Sequence, residues 1–385
     1  MGGTAVRTRA PQDAGRLQPV FADSIDAFDG TGWDRLGPGV MVGRGWLRAL
    51  EKATIAEERP RYLALGHGGR LHSAAMYREI RAGTGIASPD RILLGRLRRP
   101  LAAIGLSFTP CLLVGSHKDC DPALLGRDRG RVLDLLLEYA EARGMPLVFR
   151  SLPASDATLR GLLHERGFLT TADQPVACME ISWRDFDGYV ESLRSRSRKL
   201  PGMVRKEIRR CARSGVEIRE IADPEPWAAR LYGLARAHHE RRNPEVPFPW
   251  RPGLFPLLKR ELGDHCVILG GFAGRELLGF TVLVHDGRSG HLPFCGFEMR
   301  ARGSLLYFNL AYYRPVRLAI ELGLQRLHAG ILQRQVKARR GFGFLPTMLC
   351  YRAPRRTTNL AAAPLFRAHR WLAEHWKFAD APTAP

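Results

Sequence analysis

Lys337 is the side chain whose type and setting most suggest chemistry. The chain carries 59 Lys and Arg, of which only seven are Lys, and one of the seven stands in the loop Gln333-Arg334-Gln335-Val336-Lys337-Ala338-Arg339-Arg340. An ammonium is a compact point charge that can pair with a phosphate or with a developing oxyanion. A solvated loop lysine is the alternative. The flanking elements must position it: Leu305 to Leu322 has helical apolar periodicity and stops at Gly323. Leu324 to Ala329 then reads as a short buried strand, and Thr347 to Tyr351 as another, beyond Gly341-Phe342. Helix, strand, polar loop and strand make half of a ligand site.

A second constellation is electrostatic. The formal net charge is +21 and the pI is near 10.5, which favours a polyanionic partner, RNA or DNA foremost. Compositional drift would scatter arginine evenly and supply acids alongside it. Instead, nine cations cluster between residues 194 and 213 (Arg194, Arg196, Arg198, Lys199, Arg205, Lys206, Arg209, Arg210 and Arg213) against one acid, Glu207. At helical spacing Val204, Ile208 and Cys211 form a narrow apolar stripe, while Lys206, Arg210 and Arg213 line a different face. A solvated face would mix acids with bases at i,i+4. This helix is expected to dock on the fold and offer its charge to a phosphate backbone.

Length and composition bound the rest. The 385 residues suit two domains, and a 45% hydrophobic content supplies a sizeable core. No run of eighteen apolar residues would span a membrane. Residues 1–16 read as a disordered basic leader without the apolar region of a secretory signal, so a cytoplasmic protein is expected. Seven scattered cysteines, with no C-x-x-C or Cys/His ligand spacing, argue for reduced thiols and against a zinc site. The adjacent His238 and His239 would point to different faces of a helix, so no metal is expected.

The pattern of elements recurs. Helix, glycine, strand, connection, Arg-Gly-Phe and strand describe residues 132–181, with Arg166-Gly167-Phe168, and again 316–352, with Arg340-Gly341-Phe342. A duplicated α/β unit explains this, and chance recurrence in an Arg- and Gly-rich chain is the alternative. The domains are then 17–183 and 184–352, the strand Val176 to Ile181 closing the first. Residues 353–385 form a tail with one amphipathic helix, on which Leu365, His369, Leu372 and Trp376 share a face. Within the second domain three strands (Cys266 to Phe272, Glu276 to His285, His291 to Phe297) form a meander. They precede the connection Arg300-x-x-Gly303-x-Leu305 and the helix. That layout matches the acyl-CoA site of the GNAT superfamily, whose pyrophosphate sits on a helix N-terminus, except that Leu305 stands where a small residue belongs.

Residues 183 to 352 resemble the FemAB-like branch of that superfamily. The resemblance is carried by Ser195-Arg196-Ser197-Arg198-Lys199 running into Arg205-Lys206-Glu207-Ile208-Arg209-Arg210, by Phe308-Asn309-Leu310-Ala311-Tyr312-Tyr313, by Arg326-Leu327-His328-Ala329-Gly330, and by Lys337-x-x-Arg340-Gly341-Phe342. Trp33-Asp34 and Trp46-Leu47-x-x-Leu50-Glu51 extend it into the N-terminal half. It implies an α/β (α+β) chain of two tandem GNAT-like domains, each a mixed, largely antiparallel sheet flanked by helices. It further implies attack of an amine on an aminoacyl-tRNA ester, with Lys337 at the active site. The chain lacks the group's coiled-coil tRNA arm and a cell-wall-precursor signature. The acceptor expected is therefore the amine of a small molecule or peptide, in specialised metabolism.

An aminoacyl ester is already activated, so such a protein mainly positions substrates and stabilises an oxyanion. Lys337, helped by Arg339 or Arg340, is suited to that. The base could be His238, His239, Glu298 or the substrate itself. Asn309, Tyr312 and Tyr313 are candidates for substrate contact, one tyrosine core and one site-facing. His328, in an apolar strand, reads as a satisfied core residue. No tightly bound cofactor is expected, aminoacyl-tRNA being the co-substrate. The alternatives are an acyl-CoA-dependent N-acyltransferase and a non-catalytic nucleic-acid-binding protein.

Overall fold

The computed structural model describes residues 17–28, 30–37, 39–55, 58–81, 88–115, 123–373 and 375. The leader 1–16, Cys120 and Trp376 lie outside them. In chain order the strands are β1 Gln18–Ala22, β2 Arg61–His67, β3 Arg70–Ile80, β4 Cys111–Val114, β5 Leu124–Gly126, β6 Leu147–Pro153, β7 Leu169–Ala172, β8 Val176–Glu180, β9 Val216–Glu220, β10 Cys266–Ala273, β11 Glu276–His285, β12 Ser289–Phe297, β13 Arg326–His328, β14 Gly343–Leu345 and β15 Thr347–Arg352. They build two mixed, mainly antiparallel sheets. The first runs β1-β2-β3-β4-β6-β15-β7, with β5 on β3, and the second β14-β8-β13-β12-β11-β10-β9. With helices on their faces, these are two GNAT-like domains.

The two Arg-Gly-Phe units are built alike and exchange their last strands. In the first, helix Arg129–Ala142, β6, helix Ala157–Glu165 and β7 precede β8; in the second, helix Arg314–Glu321, β13, helix Arg334–Ala338 and β14 precede β15. β8 leaves the first sheet and lies between β13 and β14. Conversely β15 leaves the second sheet and lies between β6 and β7. The strand at 176–181 therefore does not close the N-terminal sheet. Both exchanged strands are apolar along most of their length, with β8 buried at four successive residues. Such a strand demands a neighbour on both edges and a cover on both faces, and the sheet that supplies them is not encoded in its own pattern.

The second sheet carries the helices that matter for a site. β10 and β11 are buried almost throughout, as strands covered on both faces must be. Gly296 in β12 lets helix Ala228–Arg242 come down onto the strand: a Cβ there would meet the Leu234 carbonyl carbon at 2.5 Å. On the other face, Gly271 admits the Leu306 side chain, which a Cβ would meet at 2.6 Å. The segment expected as one helix from Leu305 to Leu322 is composite: after a 3-10 stretch Met299–Ser304 come a turn of α-helix Leu306–Phe308, a π-helix Asn309–Tyr313 and the α-helix Arg314–Glu321.

The basic helix is Leu200–Arg213, with Pro201 in its first turn, where a missing N–H costs nothing. Two other expectations shift. The basic stretch 333–340 is a one-turn helix, Arg334–Ala338, rather than a loop. The C-terminal helix, Arg356–Leu372, packs on β7 of the first sheet and buries Phe366 and His369, whereas Leu372 is exposed. Among the described residues no helix is long and apolar enough to cross a membrane.

Candidate functional site

A cleft of about 510 Å³ opens between the two sheets. Its geometry follows from β12. The parallel pairing of β12 with β13 ends at His291 and His328, whose rings stack at 4.7 Å and 9°. Beyond that point β12 runs on as Leu292 to Cys295, while the chain after β13 turns away at Ala329 and Gly330. Both stretches line the cleft. The helix Ala228–Arg242 adds His238, His239 and Arg242, the π turn adds Tyr312, and the first sheet's side adds Arg91, Arg96, Arg98 and Arg150. A second cavity of about 610 Å³ adjoins it, sharing Arg91, Gln174 and the turn Ile331 to Gln333.

Lys337 lies in the cleft wall and is buried. Its Nζ donates to the carbonyls of Ala329 and Gly330, the latter at 2.9 Å. Two backbone dipoles thus help to compensate a buried ammonium. Among the described lining residues six are cationic (Arg91, Arg96, Arg98, Arg150, Arg242 and Lys337) and none is Asp or Glu. Several have partners of their own. Arg150 donates two bonds of 3.0 Å to Asp173, Arg98 pairs with Glu245, and Arg91 donates to Asn243 at 3.2 Å. Burial, with the charges of Arg98 and Arg150, holds the Arg91 guanidinium below its ordinary pKa. An anion entering the cleft would meet a lining whose charged members, among the described residues, are all cations.

The other candidate residues separate into two groups. His238 lines the cleft, its Nε2 3.8 Å from Cys295 Sγ. Burial, then the charges of Arg242 and Arg241, push its pKa down to about 4, so the imidazole is neutral at neutral pH. Tyr312 also faces the cleft, hydroxyl to hydroxyl with Tyr307 at 3.0 Å. Tyr313, the next residue, faces the opposite way. Its hydroxyl donates to Glu207 and receives Arg340 Nε at 3.0 Å. The π turn contains both tyrosines; such turns often sit at functional sites.

Arg340, Asn309 and Glu298 are not brought to the cleft lining. Arg340 is buried, donating to Glu207 at 2.7 Å with its guanidinium 3.9 Å over the Phe308 ring. Asn309 donates to the carbonyls of Leu305 and Glu207. Glu298 pairs with Arg230 at 2.8 Å. Arg339 is exposed at the end of the Lys337 turn, and His239 Nε2 lies 2.9 Å from the Val246 carbonyl. Glu207, read in the sequence as a lone acid among cations, is the partly buried partner that locks Arg340 behind the loop.

The basic cluster also divides. Arg194 and Arg205 pair with Glu191, and Arg210 donates to the Gly303 carbonyl at 2.9 Å. Arg196 donates to the carbonyls of Ala338, Gly341 and Phe342 at 2.8–3.0 Å, stapling the basic segment to the loop that carries Lys337. Arg198, Lys199, Lys206, Arg209 and Arg213 are exposed and available to a partner. The connection at 299–305 is filled by its own structure: Leu305 takes φ 59° and its amide donates to Arg302, while the Leu306 amide meets Ser304 Oγ. Among the described residues no group of three His, Cys, Asp or Glu could hold a metal ion, and none of the described cysteines is in a disulfide.

Two GNAT-like sheets with a cationic cleft where β12 and β13 part define an acyltransferase-type fold. The sequence matches the FemAB-like family, described as peptidoglycan biosynthesis/recognition, over residues 131–369, and the chain belongs to that family. Membership makes it an acyl- or aminoacyl-transferase in kind. Among solved structures it is similar to L-PGS from Bacillus licheniformis, at 13% identity over 92% of this chain and 99% of that one, with a TM-score of 0.53. It is also similar to FemX, at 11% identity over 86% and 98%, with a TM-score of 0.53. At these identities the likeness is one of fold. No curated protein matches the sequence.

Proposed function

We propose that the protein transfers an aminoacyl group from aminoacyl-tRNA to the amine of a small molecule or peptide, forming an amide in the cleft. The observation that carries this reading is Lys337: a buried ammonium that donates to two carbonyls in the wall of a cleft whose described lining carries six cations. In the reaction the acceptor nitrogen attacks the ester carbonyl, and the ammonium stabilises the oxyanion that forms. The C–O bond to the ribose then breaks, the tRNA hydroxyl leaves with a proton, and the amide remains. His238, neutral and in the cleft, can accept a hydrogen bond from the attacking amine, and the proton that the amine loses goes to the departing ribose oxygen. The exposed cations of the helix Leu200–Arg213 take the tRNA backbone, and Arg196 couples that surface to the Lys337 loop.

The acyl-CoA reading is less well supported. A pyrophosphate needs open amides and a small residue at the helix start. Here the turn uses its own amides, Leu305 fills the position, and Arg210 occupies the Gly303 carbonyl. A purely nucleic-acid-binding role leaves the buried lysine in a cleft without a purpose. The test is transfer of a radiolabelled amino acid from bulk charged tRNA to a small-molecule extract, scored as base-stable product. Wild type should yield product and Lys337→Met should not, while both retain tRNA in a gel shift. Equal product from both proteins would remove Lys337 from the mechanism.

A further inference from the structure

The C-terminal helix Arg356–Leu372 has two apolar faces. One packs inward: Phe366 is buried against Phe108 and Tyr351, with ring centroids 6.0 and 5.6 Å apart, and Ala362 and Leu365 support it. The other face points outward. Leu360, Pro364, Ala368 and Trp371, spaced four, four and three residues apart, are all exposed. Leu360 is 63% and Trp371 55% accessible. The segment Gly95–Leu106 flanks the same small core through Leu93 and Phe108. It exposes Leu97, Ile104 and Leu106 at 62, 72 and 56%. These are the largest exposures of large apolar side chains on the described surface, and they fall on the C-terminal helix and on the segment that follows Pro89–Leu93, which packs on that helix.

Charge identifies what covers them. Residues 91–107 and 355–372 contain eight arginines and no Asp or Glu. Arg96, Arg99, Arg355, Arg356, Arg367 and Arg370 are exposed. Glu245, from elsewhere in the chain, pairs with Arg98 and Arg99. A second copy of this chain meeting the face would set arginine against arginine. An RNA backbone would match the charge and leave the leucines and isoleucine without an apolar partner. The headgroup region of an anionic bilayer satisfies both, taking Leu, Ile and Trp at the acyl boundary and guanidinium groups on its phosphates.

We propose that the face formed by Gly95–Leu106 and the C-terminal helix docks on anionic phospholipid membranes. Arg96 and Arg98 of that face line the cleft, and His369 of the helix lines the adjoining cavity. Docking therefore sets the mouths of both cavities near the lipid surface.

The test is co-sedimentation of the full chain, without tRNA, with vesicles of equal parts phosphatidylserine and phosphatidylcholine and with vesicles of phosphatidylcholine alone. Wild type should partition onto the anionic vesicles at least about tenfold better than onto the neutral ones. Ile104→Asp/Leu106→Asp and, separately, Trp371→Asp should each lower that partition by about tenfold or more. All three side chains are exposed, so thermal melts should match wild type. Lys206→Glu/Arg209→Glu, on the basic helix, should leave vesicle binding intact. Binding equal on both lipids, binding unaffected by the apolar substitutions, or loss of binding only in the basic-helix variant would overturn the proposal. So would a self-association in sedimentation velocity that these same substitutions abolish while no vesicle binding is seen.

Discussion

Asp173 holds the point at which the two domains exchange strands, and removing its carboxylate should be among the costliest single changes in the protein. Its side chain is fully buried, that of Arg150 is 10% exposed, and the two are joined by bidentate bonds of 3.0 Å. The amides of Ser151 and Gln174 also donate to it, at 3.0 and 2.7 Å, and the Asp173 amide itself donates to Thr347 on the incoming strand β15. Asp173→Ala leaves a buried guanidinium and two amides without their acceptor, a loss of about 3–5 kcal/mol. Urea denaturation gives the single-variant value, and a double-mutant cycle with Arg150→Met isolates the pair, for which about 2–3 kcal/mol of coupling is expected. Burial opposes ionisation of Asp173, but the Arg150 guanidinium and the two amides outweigh it and hold the carboxyl below its ordinary value. The stability it lends is therefore complete above about pH 4 and is lost as pH falls through the lowered folded value. Asp173→Asn should flatten that part of the acid limb. A coupling below about 0.5 kcal/mol, or an unchanged acid limb, would refute the assignment of this pair as the clamp of the crossover.

Four further outcomes are expected. Lys337→Met should lower the transfer rate by about two to three orders of magnitude with tRNA affinity unchanged, read by single-turnover transfer beside a gel shift. Lys206→Glu/Arg209→Glu/Arg213→Glu should weaken tRNA binding and reduce the salt slope by about 0.7–0.9 per lost phosphate contact, measured by filter binding across salt. His238 is held neutral, so the unfolded chain binds its proton first, and stability should fall as pH drops from about 6.5 towards 4. His238→Gln should lessen that fall in pH-dependent melts. Gly296→Ala would press a Cβ into the Leu234 backbone and should cost about 1–3 kcal/mol by denaturant unfolding.

Much of the fold is legible in the sequence because periodicity and turn residues are local signals. The meander, the helix ending at Gly144 and the two Arg-Gly-Phe units all stand where residue types put them. The exchange of β8 and β15 is not legible, since an apolar strand states that it is buried without stating by which sheet. At the site, Lys337 stood out because lysine is scarce here. The cleft arginines Arg91, Arg98, Arg150 and Arg242 did not, because arginine is abundant everywhere, although the run Arg96-Leu97-Arg98-Arg99 was a visible cluster. Glu207 hid for a related reason: one acid in a basic helix resembles a stray charge until Arg340, 133 residues away, is placed against it. Its setting beside the apolar stripe of Val204, Ile208 and Cys211 was the available sign. Of the residues read as sharing one face, Leu365 and His369 pack inward, while Leu372 is exposed. The Pro364 position and the flanking arginines leave two apolar stripes to choose between.

The most direct test of the account follows the label itself. Charged tRNA carrying radiolabelled amino acids is incubated with the protein, an amine-rich small-molecule extract and no ribosomes, and the label is tracked from base-labile ester to base-stable amide. Wild-type protein should move it and Lys337→Met should leave it on the tRNA. Label that stays on every charged tRNA, with labelled acetyl-CoA instead yielding the amide, would contradict the account and assign the cleft to acyl-CoA.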